Sequence, residues 1–172
     1  MTLEKRCRAI RMILSDVDGV LTDGGIVLNN QGIESKRFHV RDGMGVRLWQ
    51  KAGYRFGIIT HRSSQIVKTR MAELGIEIVR QGIEDKLAAM RKILEDSRLG
   101  PAQVCYIGDD LPDLAAVRAA GLGVAVADAC EELRQEADYV ASLDGGAGAV
   151  REVVEMILKA QSRWEDLIQT YR

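Results

Sequence analysis

Arg11-Met12-Ile13-Leu14-Ser15-Asp16-Val17-Asp18-Gly19 is the stretch on which the fold reading turns. A short apolar run ending in polar residues and glycine fits a strand buried on both faces. Arg11–Ser15 is therefore expected to be a strand that delivers two carboxylates into a glycine turn. Residues two apart on a strand share a face. Two carboxylates about 4 Å apart repel by about 4 kcal/mol at an effective dielectric near 20. A proton or a divalent cation removes that repulsion, and Mg²⁺ suits it because it takes oxygen ligands and keeps several waters. The plain alternative is a polar turn capping the next element.

Outward from this stretch the chain alternates strand and helix. Further strand-like runs are Phe56–Thr60, Ile76–Arg80, Val104–Ile107, Leu122–Ala127 and Ala137–Ala141. Helical patterns cover Gly43–Ala52, Ser63–Leu74, Glu84–Glu95, Asp110–Ala120 and Glu131–Glu136, with a last one from Ala147 to about Tyr171. Short apolar strands separated by helices imply βαβ units, hence an α/β, Rossmann-like parallel sheet with helices on both faces. One segment interrupts the alternation. Gly25–Leu28, the turn Asn29-Asn30-Gln31-Gly32 and Ile33–Val40 read as a β-hairpin after the first strand. No linker or internal repeat divides the chain, so residues 1–172 are expected to form a single domain.

Composition narrows the function classes. The 172 residues are 47% hydrophobic and 28% charged with a net charge of −1, ordinary for a globular chain and giving no electrostatic case for nucleic acid or an anionic membrane. The three cysteines, Cys7, Cys105 and Cys130, have no metal-finger spacing and suggest a reducing, cytoplasmic setting. With His39 and His61 as the only histidines, neither a zinc motif nor a GxSxG nucleophile elbow is present.

Three more segments place chemistry near the same sheet edge, where parallel α/β sheets bind ligands. Thr60 ends its strand-like run; its hydroxyl either binds a phosphate oxygen or caps the next helix. Gly108-Asp109-Asp110 ends another; one aspartate completes a metal site or both cap the following helix, where Asp113 also lies in the first turn. Lys86, in Glu84-Asp85-Lys86, is an ordinary solvated lysine unless an anion is held nearby.

Taken together, Asp16-Val17-Asp18-Gly19-Val20-Leu21-Thr22, Ile58-Ile59-Thr60, Lys86 and Gly108-Asp109-Asp110-Leu111-Pro112-Asp113 resemble, in order, the four motifs of the haloacid dehalogenase phosphatase superfamily. Phe38-His39-Val40-Arg41-Asp42-Gly43 and Gly145-Gly146-Ala147-Gly148-Ala149-Val150-Arg151-Glu152 extend the resemblance toward its members that act on phosphorylated sugar acids. The resemblance implies a Mg²⁺-dependent phosphatase of 3-deoxy-D-manno-octulosonate 8-phosphate in lipopolysaccharide precursor synthesis, or of N-acylneuraminate 9-phosphate as the alternative. It implies Asp16 as nucleophile, Asp18 as general acid and base, and Thr60 and Lys86 holding the phosphoryl oxygens. The metal would lie on Asp16, the Asp18 carbonyl and Asp109, with Asp110 and Asp113 behind them. Arg62 and Arg80 are candidate contacts for the sugar carboxylate, and Arg151, with Gly145-Gly146-Ala147-Gly148, is a candidate substrate contact reaching a neighbouring subunit's pocket, unless those glycines only turn the chain into the last helix.

One motif departs from the pattern: relatives commonly continue Thr-Gly-Arg where this chain has Thr60-His61-Arg62. Neither the interval from Gly19 to Thr60 nor that from Thr60 to Lys86 holds a cap domain. The family resemblance then implies a homotetramer that covers the open site, with the Gly25–Val40 hairpin as the candidate contact. Two other classes compete. A signalling receiver domain also uses acidic residues, a threonine and a lysine, but in another order along the chain. A non-catalytic assembly module would not need Asp16, Asp18, Lys86 and Asp109 together.

Overall fold

The computed structural model describes residues 1–172. Its first half contains α1 (Leu3–Ala9), β1 (Met12–Ser15), β2 (Val27–Leu28), β3 (Glu34–Ser35), α2 (Val40–Lys51), β4 (Arg55–Ile59), α3 (Gln65–Glu73), β5 (Ile78–Arg80) and α4 (Lys86–Ser97). Its second half contains β6 (Val104–Gly108), α5 (Leu114–Ala119), β7 (Leu122–Ala125), α6 (Glu131–Glu136), β8 (Tyr139–Val140), α7 (Ala149–Ala160) and α8 (Trp164–Ile168).

Every residue of β1 is buried, as its apolar run requires of a strand covered on both faces. It pairs in parallel with β4 on one side and β6 on the other. The six-stranded sheet runs β5-β4-β1-β6-β7-β8, all parallel. From β1 the chain winds outward through β4 and β5, then returns to lay β6 against the free side of β1. That reversal opens a crevice beyond the ends of β1 and β6. Right-handed crossovers put α2 and α3 on one face and α4, α5 and α6 on the other. Accordingly α2 and α1 pack against α7, α4 packs against α5, and α5 against α6. One hydrophobic cluster of 44 buried residues, Cys105 among them, joins the sheet to both helical layers.

The α/β sheet is as the sequence implies, with strand ends shifted by a few residues, but one helix is new and three local expectations change. The N-terminal segment is a helix, α1, capped by the Thr2 hydroxyl and docked through buried Cys7. Its many charges hide that single buried position. The hairpin is much shorter than Gly25–Val40: only Val27–Leu28 and Glu34–Ser35 pair, and Val40 already belongs to α2, whose cap is the His39 ring. Asp110–Ala120 divides at Pro112 into a 3-10 turn, Leu111–Asp113, and α5. The C-terminal helix also breaks. Gln161 donates to the carbonyls of Cys7 and Ile10, Arg163 donates to that of Ala52, and Ser162 between them is left-handed, so α7 stops at Ala160.

Helix α7 lacks a cap of its own, since Gly148 precedes it. Asp42, buried in the first turn of α2, supplies one from outside: its Oδ1 accepts from Arg151 N at 2.9 Å. Asp42→Ala is expected to lower unfolding free energy by about 1–2 kcal/mol, the loss of a helix cap, with an unchanged denaturant slope. Urea titration checks this; wild-type stability would show that α7 needs no cap from α2.

Candidate active site

Asp16 leaves the end of β1, and its N–H donates to Ile107 O of β6 at 3.0 Å, which fixes it at the crevice. Its Oδ1 accepts from Val17 N at 2.6 Å, and its Oδ2 lies 2.7 Å from Lys86 Nζ. Lys86 is the first residue of α4 and its side chain is 1% exposed, so the solvated-lysine reading fails. A second carboxylate, Asp113, sits 2.6 Å from the same ammonium. Asp113 also accepts from Tyr106 Oη at 2.9 Å and from Asp109 N at 3.2 Å. A buried carboxylate survives only with such donors. Although Asp113 stands at the start of α5, its side chain caps no helix N–H.

Asp16, Asp109 and Asp113 offer carboxylate oxygens within 4.8 Å of one another. Burial, then the charge of Asp113, raise the Asp16 pKa to about 6 against the pull of Lys86. Burial, then Asp113 and Asp16, raise that of Asp109 to about 8. For Lys86, burial opposes the charge, but Asp113 and Asp16 outweigh it and the pKa is raised.

The chemistry fits a hard divalent cation. The donors are all oxygens, as Mg²⁺ requires. No side chain or backbone N–H donates to the Asp109 carboxylate, and none donates to the Asp18 carbonyl. Gly19, at φ +86°, leaves the room: a Cβ there would stand 2.0 Å from Asp109 Oδ2. Asp16, Asp109 and the Asp18 carbonyl remain the candidate ligands, while Asp113 is already committed to Lys86 and Tyr106.

The Asp18 side chain points away from this cluster. It pairs with Lys36 from the hairpin, whose side chain is almost fully buried. Lys36 also reaches Glu34 Oε1 at 3.2 Å. Glu34 in turn accepts from Arg62 at 2.8 Å and from the Ser64 hydroxyl at 2.9 Å. The hairpin is thereby fastened to both the Asp18 turn and the loop after β4. Sequence reasoning missed Glu34, Lys36, Ser64 and Tyr106. The available signal was alternation, because Glu34 and Lys36 are two apart where β3 ends, in the extended segment that the sequence reads as a hairpin arm.

Thr60 is buried, its N–H donating to Arg80 O and its carbonyl accepting from Ile83 N. It caps no helix, since α3 begins at Gln65 after Ser64. Its hydroxyl has no partner in the chain, so it stays free for a ligand oxygen. The His61 ring lies 3.2 Å from Ile83 O on the exposed rim. Asp110 is exposed and its side chain caps no helix N–H. Of the three arginines, Arg62 joins the site through Glu34. Arg80 is exposed and folds back on the Val79 carbonyl. Arg151 lies against Trp164 in a separate groove of about 720 Å³ with Arg41, Glu155 and Lys159. This chain therefore brings neither Arg80 nor Arg151 to the carboxylate cluster.

A family model for haloacid dehalogenase-like hydrolases matches residues 57–152. The 3-deoxy-D-manno-octulosonate 8-phosphate phosphatase of Escherichia coli K12 is 45% identical over 157 residues, 91% of this chain and 84% of that protein. The Moraxella catarrhalis enzyme of the same name, solved with magnesium, phosphate and KDO, superposes with a TM-score of 0.96 at 44% identity, covering 98% of this chain and 97% of the other. The cobalt-bound Haemophilus influenzae enzyme superposes at 0.90 with 38% identity, over 92% of this chain and 93% of that one. With its motifs gathered at the β1–β6 crevice and likeness running nearly end to end, the chain belongs to the haloacid dehalogenase-like hydrolases.

Proposed function

We propose that this chain is a magnesium-dependent phosphatase that hydrolyses 3-deoxy-D-manno-octulosonate 8-phosphate to the free sugar acid and phosphate. The observation that carries the reading is end-to-end likeness to the Moraxella catarrhalis enzyme that holds magnesium, phosphate and KDO, joined to the buried Asp16–Lys86–Asp113 centre. In this reading the protein is cytoplasmic and supplies lipopolysaccharide precursor synthesis. No helix is long and apolar enough to cross a membrane.

Asp16 attacks phosphorus, forming an aspartyl-phosphate as the bond from phosphorus to the sugar oxygen breaks. Asp18 gives the leaving oxygen its proton, then takes one from the water that attacks the phosphoenzyme and frees Asp16. Thr60 and Lys86 hold the non-bridging oxygens, and the raised positive character of Lys86 suits that task. Asp113 positions Lys86 and Tyr106. Mg²⁺ on Asp16, Asp109 and the Asp18 carbonyl neutralises phosphoryl charge when bound. Lys36 neutralises Asp18 in the free chain and stands at the entrance for the dianion. Arg62 reaches this entrance through Glu34 and is the arginine best placed to meet the sugar carboxylate.

Covering the open site falls to a homotetramer built on the hairpin. Ile26, Val27 and Leu28 are each 59% exposed and Ile33 is 63% exposed, a concentration of uncovered apolar side chains on one short hairpin of the kind that marks an interface.

Phosphate release from a panel of esters tests the activity. The octulosonate ester is expected to turn over far faster than N-acylneuraminate 9-phosphate or hexose phosphates, only with Mg²⁺, and Asp16→Asn is expected to abolish it. Preference for the neuraminate ester would move the substrate; release from none would leave an assembly module. For assembly, Val27→Asp with Ile33→Asp is expected to convert a tetramer to smaller species in sedimentation; a wild-type monomer would refute the interface.

Stability gives a check that needs no turnover. Asp16 and Asp109 titrate at about 6 and about 8, both above 3.8, so the folded chain binds more protons than the unfolded one. In chelator, stability must then fall as pH rises from about 5 to about 8. Mg²⁺ favours the ionised carboxylates, so it is expected to raise Tm more at pH 8 than at pH 5.5. A chelator-treated protein that gains stability across this range would contradict the metal-free cluster.

A further inference from the structure

The turn that carries Asp18 rests on a second loop, Ser142–Gly146, and the contact is backbone on backbone. A Cβ at Gly145 would stand 1.7 Å from Gly19 O, and one at Gly146 would stand 2.4 Å from the Thr22 carbonyl carbon. Gly146 N also donates to Val20 O at 2.9 Å. With no side chain between the two loops to absorb movement, a shift of one displaces the other.

Two carboxylates that touch none of Asp16, Asp18, Lys86, Asp109 or Asp113 hold the supporting loop. Asp128, just past β7, accepts from Gly145 N at 2.9 Å. Glu152, in the first turn of α7, accepts from Tyr139 Oη at 2.7 Å, Ser142 N at 2.8 Å, Ser142 Oγ at 2.9 Å and Leu143 N at 3.1 Å. Burial alone would raise the Glu152 pKa; these donors outweigh it and hold it below the usual range. The loop is thus pinned to the sheet end and to a core helix, on either side of its contact with Gly19.

We propose that Asp128 and Glu152 are positioning residues that, through the Ser142–Gly146 backbone, set the placement of Asp18 for proton transfer to the leaving sugar oxygen. This rests on the phosphatase reading and on Asp18 as its acid. A misplaced acid hurts most where the leaving group needs a proton. An alkyl sugar ester needs one; 4-nitrophenyl phosphate, whose phenolate leaves unaided, does not. The ratio of kcat/KM values for the two esters therefore reports on Asp18, since kcat/KM covers only steps through aspartyl-phosphate formation.

The experiment compares wild type, Asp128→Ala, Asp128→Asn and Glu152→Ala on 3-deoxy-D-manno-octulosonate 8-phosphate and 4-nitrophenyl phosphate, with Tm recorded for each. Asp128 is exposed, so its variants leave the core intact. Asp128→Ala is expected to lower kcat/KM about tenfold on the sugar ester and less than about threefold on the aryl ester, in line with a displaced acid. Glu152→Ala is expected to shift the ratio further, and Asp128→Asn, which keeps an acceptor for Gly145 N, to behave as wild type. Equal losses on both esters, or no loss in Asp128→Ala, would overturn the proposal. Wild-type protein inactive on both esters would instead overturn the phosphatase reading, and this proposal with it.

Discussion

A single buried ammonium organises this molecule. Lys86 Nζ lies 2.7 Å from Asp16 and 2.6 Å from Asp113, and a charge in such surroundings persists only if it is paired. Its two partners come from opposite sides of the point where the strand order reverses, one ending β1 and the other following β6. Lys86 itself opens α4, which connects β5 to β6. The ion triad thus ties together the elements that define the crevice. Removing one partner of such a buried pair typically costs 3–5 kcal/mol. The triad also explains why the site asks for a cation. Asp16, Asp113 and Asp109 are three carboxylates against one ammonium, and burial together with this excess negative charge raises the pKa values of Asp16 and Asp109. One divalent cation balances the two negative charges that the protein leaves unbalanced.

The sheet was legible because its strands are short, apolar and buried on both faces, so the sequence has one way to satisfy them. Met12–Leu14, Phe56–Ile59 and Val104–Ile107 all emerged as central strands. The cluster was legible as well, since each candidate ended or closely followed such a strand. What failed to show were features whose cause lies elsewhere in the chain. Helix α7 stops because Gln161 and Arg163 find better partners on α1 and α2. Helix α1 exists because Cys7 has a place in the core. Asp110 and Asp113 looked alike as helix caps, yet one is exposed and the other is the most heavily bonded carboxylate of the site. Only the position of Tyr106 and Lys86 separates them.

Lys36 shows the same limit from the other direction. In sequence it is one charge among Glu34, Lys36 and Arg37 on a polar hairpin. In the fold its side chain is 1% exposed, bridging Asp18 and Glu34. The hairpin consequently has two unlike faces. Its inner residues, Glu34 and Lys36, grip the Asp18 turn and the Arg62–Ser64 loop, while Ile26, Val27, Leu28 and Ile33 face outward and uncovered.

Those two faces bear on how an enzyme without a cap domain selects a substrate. The Asp16–Lys86–Asp113 triad is built of charges that pair with one another, so nothing in it distinguishes one sugar from another. Around the crevice the chain itself sets Arg62, paired to Glu34, and the exposed His61 ring. The hairpin buries Lys36 against Asp18 and Glu34 while leaving Ile26, Val27, Leu28 and Ile33 exposed, so one element carries both a wall of the site and an apolar surface. The Ser142–Gly146 loop meets the Asp18 turn backbone to backbone, while the hairpin's Lys36 pairs with the Asp18 side chain. The Asp18 turn is thereby held between two supports from distant parts of the chain, the hairpin and the loop before α7.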